Sequence, residues 1–466
     1  MQYLIKKVSL KADETSDIGH HEQLSIMIRY FNKHTNCTVE QFTCLKRITS
    51  VDTQSIFSSL YDIIQEYSIK WENIVSVCFD GASTISGCTN GVQAKFKEKN
   101  SNTFFVHCYG HCLNLVLVDS VGRNNRTTFD FFGNIQLIFN FIEDSCVRHA
   151  VLEKIANSVN IKLKTLKSVS TIRWACRYEA ASAVKVNYSA LLIAINEISE
   201  STRQADIGAK GLGIIYQMKT FEFVFALEML EPILCSILKV SSYLQKSDIN
   251  LLTAVQLVET LKKTLETMRN TESNFDNIYK KVFKLFEDNQ ILIPPVKKRK
   301  VSSKLDCFSN TQHFMDNKEE EMRITVYNAT LDQMINGINL RFSQKTLNMI
   351  KSISNVLELN VDDNDITILT DAFGLEAEML KSEISLLQHT DNVPKNNIKN
   401  CDTWIKWLTE FDSGRETIFN NIFKMLKIFV NIPVTSCSCE RAFSKLSLIK
   451  TKLRSTMHQD RLDGLL

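Results

Sequence analysis

Hydrophobic and polar residues alternate along the first fifty positions of the chain, which is the pattern of half-buried strands. In VSLKA, residues 8–12, the alternation predicts a first strand that ends at Asp13. LSIMIRYF at 24–31 predicts a second strand, and TVEQFTCLKRI at 38–48, where the alternation is weaker, predicts a third. The chain therefore begins with three consecutive strands.

The period then changes between helix and strand several times. Apolar residues at helical spacing follow Asp52, and NIVSVCF at 73–79 predicts a fourth strand that ends at Asp80. GVQAKFKEK predicts a short helix, TFFVHC at 103–108 a fifth strand, and GHCLNLVLVDSV at 110–121 another helix. The predicted order is three strands, helix, strand, helix, strand, helix.

From residue 123 to residue 400, apolar residues recur every three or four positions, and this spacing predicts helices almost throughout. A run of prolines, serines and charges at 294–322 interrupts the pattern and predicts a mobile loop. The loop contains four basic residues in a row, which are typical of a nuclear localisation signal; a solvated basic patch is the alternative. They are Lys297, Lys298, Arg299 and Lys300.

Asp13 and Asp80 each end a predicted strand. Carboxylates at strand ends lie where the backbone meets solvent, which is a common place for chemistry. If the two strands are neighbours in one sheet, the two side chains come together, and carboxylate oxygens are the ligands that Mg²⁺ prefers. The alternative is that each aspartate only caps a turn after its strand.

The composition adds limits but no function. The chain has 466 residues, 44% hydrophobic and 23% charged, as in soluble globular proteins of several domains. A formal charge of +3 is too small to indicate nucleic-acid binding by itself, so any basic surface has to be local. No apolar run approaches the ~18 residues that span a bilayer, and the N-terminus lacks a signal-peptide pattern. Thirteen cysteines without a CxxC pair indicate reduced thiols in the cytosol or nucleus.

Five stretches, taken in order, resemble the hAT superfamily of DNA transposases, and within it the branch of zinc finger MYM-type and THAP-domain proteins. They are LKADETSDIGHHEQLSIMIRYF, VCFDGASTISGCTNGVQAKFKEK, VHCYGHCLNLVLVDS, STIRW and IPVTSCSCERAFSKLSLIKTKLRSTMHQDRLDGLL. The resemblance implies an α/β fold similar to ribonuclease H, with a mixed five-stranded sheet interrupted by a large all-helical insertion. The core would then comprise 1–122 and 401–466, and the insertion 123–400.

The resemblance also implies three acids that bind two metal ions: Asp13 in KADETSD, Asp80 in CFDGAS and Glu440 in CSCERAFS. Two ions about 3.5–4 Å apart activate the attacking hydroxyl and stabilise the leaving oxygen of a phosphoryl transfer. Mg²⁺ or Mn²⁺ is therefore the expected cofactor of an active protein. Asp17 is the rival for the first position, and Glu14 is interpreted as a bystander.

DNA contacts are implied for Arg173 and Trp174 in STIRW, since the tryptophan of this family motif stacks on a displaced base. A tryptophan buried in the helical core is the alternative. Cys108 and His111 are a pairing typical of the family, but structural zinc usually takes four ligands, and we expect none here. His111 orders the edge of the active site or contacts DNA, with a purely structural histidine as the alternative.

The last block implies association. Leu446, Ile449 and Leu453 continue an apolar stripe from Ala442 at near-heptad spacing, opposite a basic side. A stripe of this kind more often indicates core packing, but the resemblance implies a dimerisation region. We therefore expect a homodimer or a higher homo-oligomer.

Two functions fit these observations. The first is a metal-dependent nuclease or strand transferase that acts on DNA, and the three intact acids favour it. The second is a domesticated, catalytically inactive nuclear protein that regulates through protein partners. It is favoured because the zinc finger that precedes the first strand in the family is missing from this sequence. Both functions place the protein in the nucleus, and neither involves a membrane.

Overall fold

The computed structural model describes residues 7–80, 90–122, 125–169, 175–291, 318–342, 346–394, 400–411 and 413–465. The chain forms two compact units. The first, which contains the sheet, comprises Met1–Leu113, Ser241–Glu259 and Arg341–Leu466, and the second comprises Asn114–Val240 and Thr260–Leu340. The helices between residues 341 and 400, which we expected in the insertion, thus group with the sheet.

A mixed five-stranded sheet of order β3-β2-β1-β4-β5 organises the first unit, which confirms the predicted fold class. β1 and β2 pair antiparallel, as do β2 and β3, whereas β4 lies parallel to both β1 and β5. All five strands predicted from the sequence are present. They are β1 (Val8–Ser16), β2 (Glu22–Asn32), β3 (Cys37–Ile48), β4 (Ile74–Phe79) and β5 (Phe104–His107).

One strand boundary differs from the prediction. β1 does not end at Asp13 but continues to Ser16. Its pairing with β4 stops at Lys11, whereas its antiparallel pairing with β2 continues through Asp13 opposite Ser25. The predicted end of the strand is therefore wrong, because one of the two neighbouring strands extends further than the other.

One face of the sheet buries the apolar core of this unit. Val8, Leu10 and Ala12 of β1 point to it, because every second residue of a strand shares a face. α1 (Thr53–Glu66) and α2 (Val92–Lys99) cover it with buried side chains at helical spacing. β4 is buried along its whole length, which explains why its sequence is a nearly continuous apolar run.

The helices that follow β5 fill the second unit, as the helical pattern predicted. They are α3 (Tyr109–Ser120), α4 (Arg126–Glu143), α5 (Cys146–Ser158), α6 (Ala175–Val186), α7 (Tyr188–Ser201), α8 (Ala205–Met218), α9 (Phe221–Leu244), α10 (Leu251–Asn270), α11 (Glu272–Asp288), α12 (Lys318–Glu321) and α13 (Ala329–Arg341). The ends of α3, α9, α10 and α13 reach into the first unit. A π-helical segment, Met322–Asn328, joins α12 to α13.

The predicted mobile loop at 294–322 lies outside the described residues except for its last five. Those five residues are helical, so this end of the predicted loop is wrong. Lys318 of α12 pairs with Glu222 of α9 at 2.8 Å, and this contact fixes the beginning of the helix. The basic residues Lys297–Lys300 fall in the part that is not described.

The C-terminal helices return to the sheet. They are α14 (Leu347–Glu358), α15 (Asp363–Phe373), α16 (Ala377–Gln388), α17 (Cys401–Leu408), α18 (Arg415–Ile418), α19 (Asn420–Val430), α20 (Cys437–Ile449) and α21 (Gln459–Asp463). α20 lies on the second face of the sheet. There Cys439 and Ala442 pack against Met27, and Leu446 packs against Leu45.

α20 ends earlier than the apolar stripe predicts. Its last residue is Ile449, and Lys450 has an extended backbone. The Nζ of Lys450 lies 2.6 Å from Oδ2 of Asp17, and both side chains are buried. This ion pair turns the chain back towards the β1–β2 turn, so Leu453 lies in a separate 3₁₀ turn and not on the same helix.

The fold makes a direct prediction about α1. Replacing the buried Leu60 by alanine should lower the free energy of unfolding by about 2–5 kcal/mol, because it leaves a cavity in the apolar core. Gln65→Ala, at an exposed position of the same helix, should change it by less than about 0.5 kcal/mol. Urea unfolding followed by circular dichroism measures both; equal losses in the two variants would contradict this assignment of the core.

Candidate active site

The strand register brings the two predicted aspartates together. In the parallel pairing of β1 with β4, Lys11 lies opposite Cys78. Two residues further along each strand, the same register places Asp13 next to Asp80, which directly follows β4. Neighbouring strands are about 4.8 Å apart, so the two carboxylates share the edge at which the parallel pairing ends.

Glu440 lies in the first turn of α20. This turn is held to the core by the backbone: the amide of Tyr109 donates to the carbonyl of Val434 at 3.0 Å. The thiol of Cys437 donates to Oε1 of Glu440 at 3.7 Å. Glu440 itself is exposed on the side of the helix that its neighbours Cys439 and Ser438 leave open.

Asp13 lies within electrostatic range of the other two acids. Burial raises its pKa well above the usual value, and the negative charges of Glu440 and then Asp80 raise it further. The thiol of Cys108 acts in the same direction, and a hydrogen bond from the amide of Glu14 opposes it. Asp80 and Glu440, which are far from Asp13 in the sequence, are thus close enough in the fold for their charges to act on it.

The donor set fits a hard divalent cation. Among the described residues, no group of three or more histidine, cysteine, aspartate or glutamate side chains is placed to hold a metal ion in this conformation. The chemistry is nevertheless suitable, since Mg²⁺ and Mn²⁺ take carboxylate oxygens. Burial and, after it, repulsion between like charges raise the pKa of Asp13, and a bound cation would relieve the repulsion.

Asp17, the rival for the first acid, has other partners. Its carboxylate accepts hydrogen bonds from the amide of Gly19 at 2.7 Å and from Nε2 of Gln23 at 2.8 Å, besides the ion pair with Lys450. Burial would raise the pKa of Asp17, but these hydrogen bonds, led by that of Lys450, lower it to about 2. Asp17 therefore anchors the C-terminal segment, away from the three acids.

Glu14 is more closely involved than the sequence indicated. Strand alternation directs it to the face opposite Asp13, yet burial, followed by the charges of Asp80 and Glu22, raises its pKa to about 7. Its Oε2 is buried, with no hydrogen-bond partner found for it. No local pattern distinguishes Glu14 from a bystander, because its position follows from the pairing of β1 with β4.

The histidine edge of the site comes from β5 and α3. Burial lowers the pKa of His107, the charge of Asp80 opposes this shift, and His111 adds to it. His107 is therefore within electrostatic range of Asp80, and His111 is within range of His107. The role of His111 at the edge of the site stays a prediction.

Two thiols pack between α3 and α20. The amide of Ser436 donates to Sγ of Cys108 at 3.3 Å. A Cβ atom on Gly110 would lie 3.4 Å from Sγ of Cys437 and 3.8 Å from Sγ of Cys108, which is van der Waals contact with both. Hydrogen bonding from Cys437 lowers the pKa of Cys108 to about 6 in spite of burial. The small residues allow the beginning of α20 to approach the sheet closely.

The predicted contacts with DNA and the predicted stripe have different outcomes. Arg173 and Trp174 lie outside the described residues. Leu446 is only 3% exposed and packs within the core, with Ile449 partly buried beside it. Leu453 is 97% exposed, so the three residues do not share one face, and that expectation is wrong. Leu448, which is 79% exposed on α20, was not among the association residues predicted from the sequence.

Comparison with known proteins connects both parts of the site to transposase-derived families. The ZMYM1/FAM200 RNase-like domain matches residues 6–91, which include Asp13 and Asp80. The hAT family C-terminal dimerisation region matches residues 384–466, which include Glu440. The human 52 kDa repressor of the inhibitor of the protein kinase is 21% identical over 500 residues. The match covers 98% of this chain and 60% of the human protein, so the chain spans less than two thirds of the length of that relative.

Among the helices of the described residues, none combines the length and the hydropathy that a membrane span requires.

The raised pKa of Asp13 predicts a stability gain from its removal. Because the folded-state pKa lies above the unfolded value, the folded protein loses stability as the pH rises above the unfolded pKa of about 3.9. The Asp13→Asn variant has no such charge and does not lose this stability. In the presence of a chelator at pH 7, it should therefore unfold at a higher temperature than wild type.

Added Mn²⁺ should reduce the difference in unfolding temperature between Asp13→Asn and wild type, because the cation stabilises only the wild type. Differential scanning fluorimetry over a pH series measures the effect, and Asp62→Asn, at an exposed carboxylate, is the control. An Asp13→Asn variant that is less stable than wild type in chelator would contradict the electrostatic account.

Proposed function

We propose that this chain, which carries a transposase-like RNase domain and the hAT C-terminal dimerisation region, cleaves and joins DNA as a dimer in a metal-dependent reaction. One observation carries the proposal: the strand register places Asp13 next to Asp80, and burial, followed by the charges of Glu440 and Asp80, raises the pKa of Asp13. The acids come from the two separate regions that the families match. A cluster of like charges is costly for the fold, which supports a role in binding cations.

The proposed roles of the acids follow from the elements that carry them. Asp13 lies within a paired strand and is the rigid ligand, and Asp80 follows the end of the neighbouring strand. Glu440 completes the set from the helix. Bound divalent cations would activate the attacking water or hydroxyl and stabilise the leaving oxygen. The protein itself would supply the three carboxylates that hold these cations.

Positive charge on the helix that carries Glu440 supports DNA as the substrate. Arg441 and Lys445 are exposed on α20, one and five residues after Glu440. Contacts of this kind with the phosphate backbone supply most of the non-specific affinity for DNA. His111 at the edge of the acids, and Arg173 with Trp174, are the further DNA contacts in this proposal.

Cleavage tests the proposal directly. Purified protein with Mg²⁺ or Mn²⁺ should nick or join labelled DNA, and Asp80→Asn and Glu440→Gln should each abolish the product, because each removes a metal ligand. Asp62→Asn, which changes an exposed carboxylate elsewhere in the same unit, should keep full activity. Activity that persists in Asp80→Asn would indicate a contaminating nuclease.

The human relative favours a second candidate function. Its name describes a repressor, and 98% of this chain aligns with it. In this alternative the chain is a domesticated nuclear regulator that retains the fold and the dimer surface but does not cut DNA. A protein that is folded and dimeric, but inactive with either cation, would support the regulator over the enzyme.

Association is proposed to use the exposed leucines at the end of the matched dimerisation region. Leu448 and Leu453 are exposed, whereas Leu446 and Ile449 already pack against β3 and α21. Fully burying one leucine contributes about 1.5–3 kcal/mol, so two of them contribute substantially to a dimer. Nuclear localisation through Lys297–Lys300 belongs to the same proposal.

The two sets of leucines should respond differently to substitution. Leu453→Glu should leave the circular dichroism spectrum unchanged and raise the dimer dissociation constant by roughly 100-fold or more, because each of the two protomers loses one buried leucine. Leu446→Glu should instead unfold the C-terminal segment. Light scattering after gel filtration measures the mass, with Leu212→Glu, an exposed leucine of the second unit, as the control. A wild-type chain that is monomeric at micromolar concentration would contradict the dimer.

A further inference from the structure

A buried cluster of charges lies beneath the first turn of α20. Lys11 of β1 and Arg29 of β2 point to the face of the sheet that α20 covers, and both pair with Oε1 of Glu40 on β3, each at 2.8 Å. The exposed fractions of the three side chains are 2%, 1% and 8%. Arg29 lies directly opposite Glu40 in the β2–β3 register. The pairing is therefore built into the sheet.

Every hydrogen-bonding position of one hydroxyl on α20 is used by this cluster. The hydroxyl of Ser438 donates to Oε2 of Glu40. It accepts from Nζ of Lys11 at 2.9 Å and from Nη2 of Arg441 at 2.9 Å. A serine hydroxyl has one donor and two acceptor positions, so this side chain is saturated. Three hydrogen bonds therefore fix the position of the Ser438 hydroxyl.

Helix electrostatics alone do not favour this arrangement. Two cations lie beneath the N-terminal end of α20, where the helix dipole is positive and disfavours further positive charge. Burial would raise the pKa of Glu40, but Lys11 and Arg29 lower it, so the carboxylate stays ionised and offsets part of the charge. Buried ion pairs of this kind are weak contributors to stability and are better explained by a need for one defined geometry.

The geometry of the helix links this cluster to the acids. Ser438 and Glu440 are two residues apart, which is a rotation of about 200° around the helix axis. A first turn whose Ser438 faces Glu40 on β3 therefore directs Glu440 to the opposite side, towards β1 and β4. No side-chain cap holds the beginning of α20. The contacts of Ser438 with Glu40 and Lys11 therefore restrain its rotation, together with the hydrogen bond from the amide of Ser436 to Cys108.

We propose that Glu40 and Ser438 are positioning residues that direct Glu440 towards Asp13 and Asp80; this inference rests on the proposed metal site. They act through the helix and touch neither the metal nor DNA. Loss of the Ser438 hydroxyl leaves Oε2 of Glu40 unpaired and frees the first turn to rotate. Glu440 then faces the two aspartates for only part of the time.

Metal binding is the first readout. Isothermal titration with Mn²⁺ should give a dissociation constant about 10–100-fold higher for Ser438→Ala than for wild type, as for other residues that orient metal ligands. Glu40→Gln should weaken binding in the same way. Ser447→Ala, at an exposed serine of the same helix, should bind like wild type. Binding by Ser438→Ala within twofold of wild type would overturn the inference.

Hydrogen–deuterium exchange of the metal-free protein is the second readout, and it does not depend on the proposed function. Amides of α20 should exchange faster in Ser438→Ala than in wild type, while those of α1 stay unchanged. If wild type binds no Mn²⁺, the metal site fails, and the exchange data alone decide whether Ser438 restrains the helix. Unchanged exchange in α20 would overturn that restraint. Should Glu40→Gln fail to fold, Ser438→Ala still decides the question.

Discussion

The parallel pairing of β1 with β4 is the constraint on which the candidate site depends. It places a strand from the beginning of the chain next to one that follows two further strands and a helix. Parallel strands end at the same edge of a sheet, so residues that follow them meet there. Asp13 stays rigid because β1 remains paired with β2 beyond this edge. Without this pairing, Asp13 and Asp80 would have no reason to approach each other.

The two faces of the sheet have different chemistry, and this difference decides which helix covers each. Val8 and Leu10 direct apolar side chains to α1 and α2 on one face. The other face carries Lys11 and Arg29, whose charges need a carboxylate and hydrogen-bond acceptors when they are buried. Arg29 also donates to the carbonyl of Val430, just before α20, at 2.9 Å. The polar face is therefore covered by the C-terminal segment, whose polar groups pair with it, and this segment carries Glu440.

The cluster of acids opposes stability at the place where function is proposed. Burial and the neighbouring charges of Glu440 and Asp80 all disfavour the charged form of Asp13. A fold selected for stability alone would place an apolar or neutral residue there. Sites of function are where local rules are commonly broken and compensated elsewhere. Here the compensation includes the large apolar core beneath α1 and the ion pair of Asp17 with Lys450.

The sequence by itself determined the elements, their order and the three acids. Alternation and helical spacing are local properties, so the strands and the α20 helix could be predicted, and the motifs around Asp13, Asp80 and Glu440 identified them through a family resemblance. Only the tertiary structure decided which of these residues meet and which leucines stay exposed. Lys450 ends α20 by pairing with Asp17, a residue 433 positions away, and this separates Leu453 from Leu446. Contacts between such distant residues depend on the folded sheet, and therefore leave no local pattern along the chain.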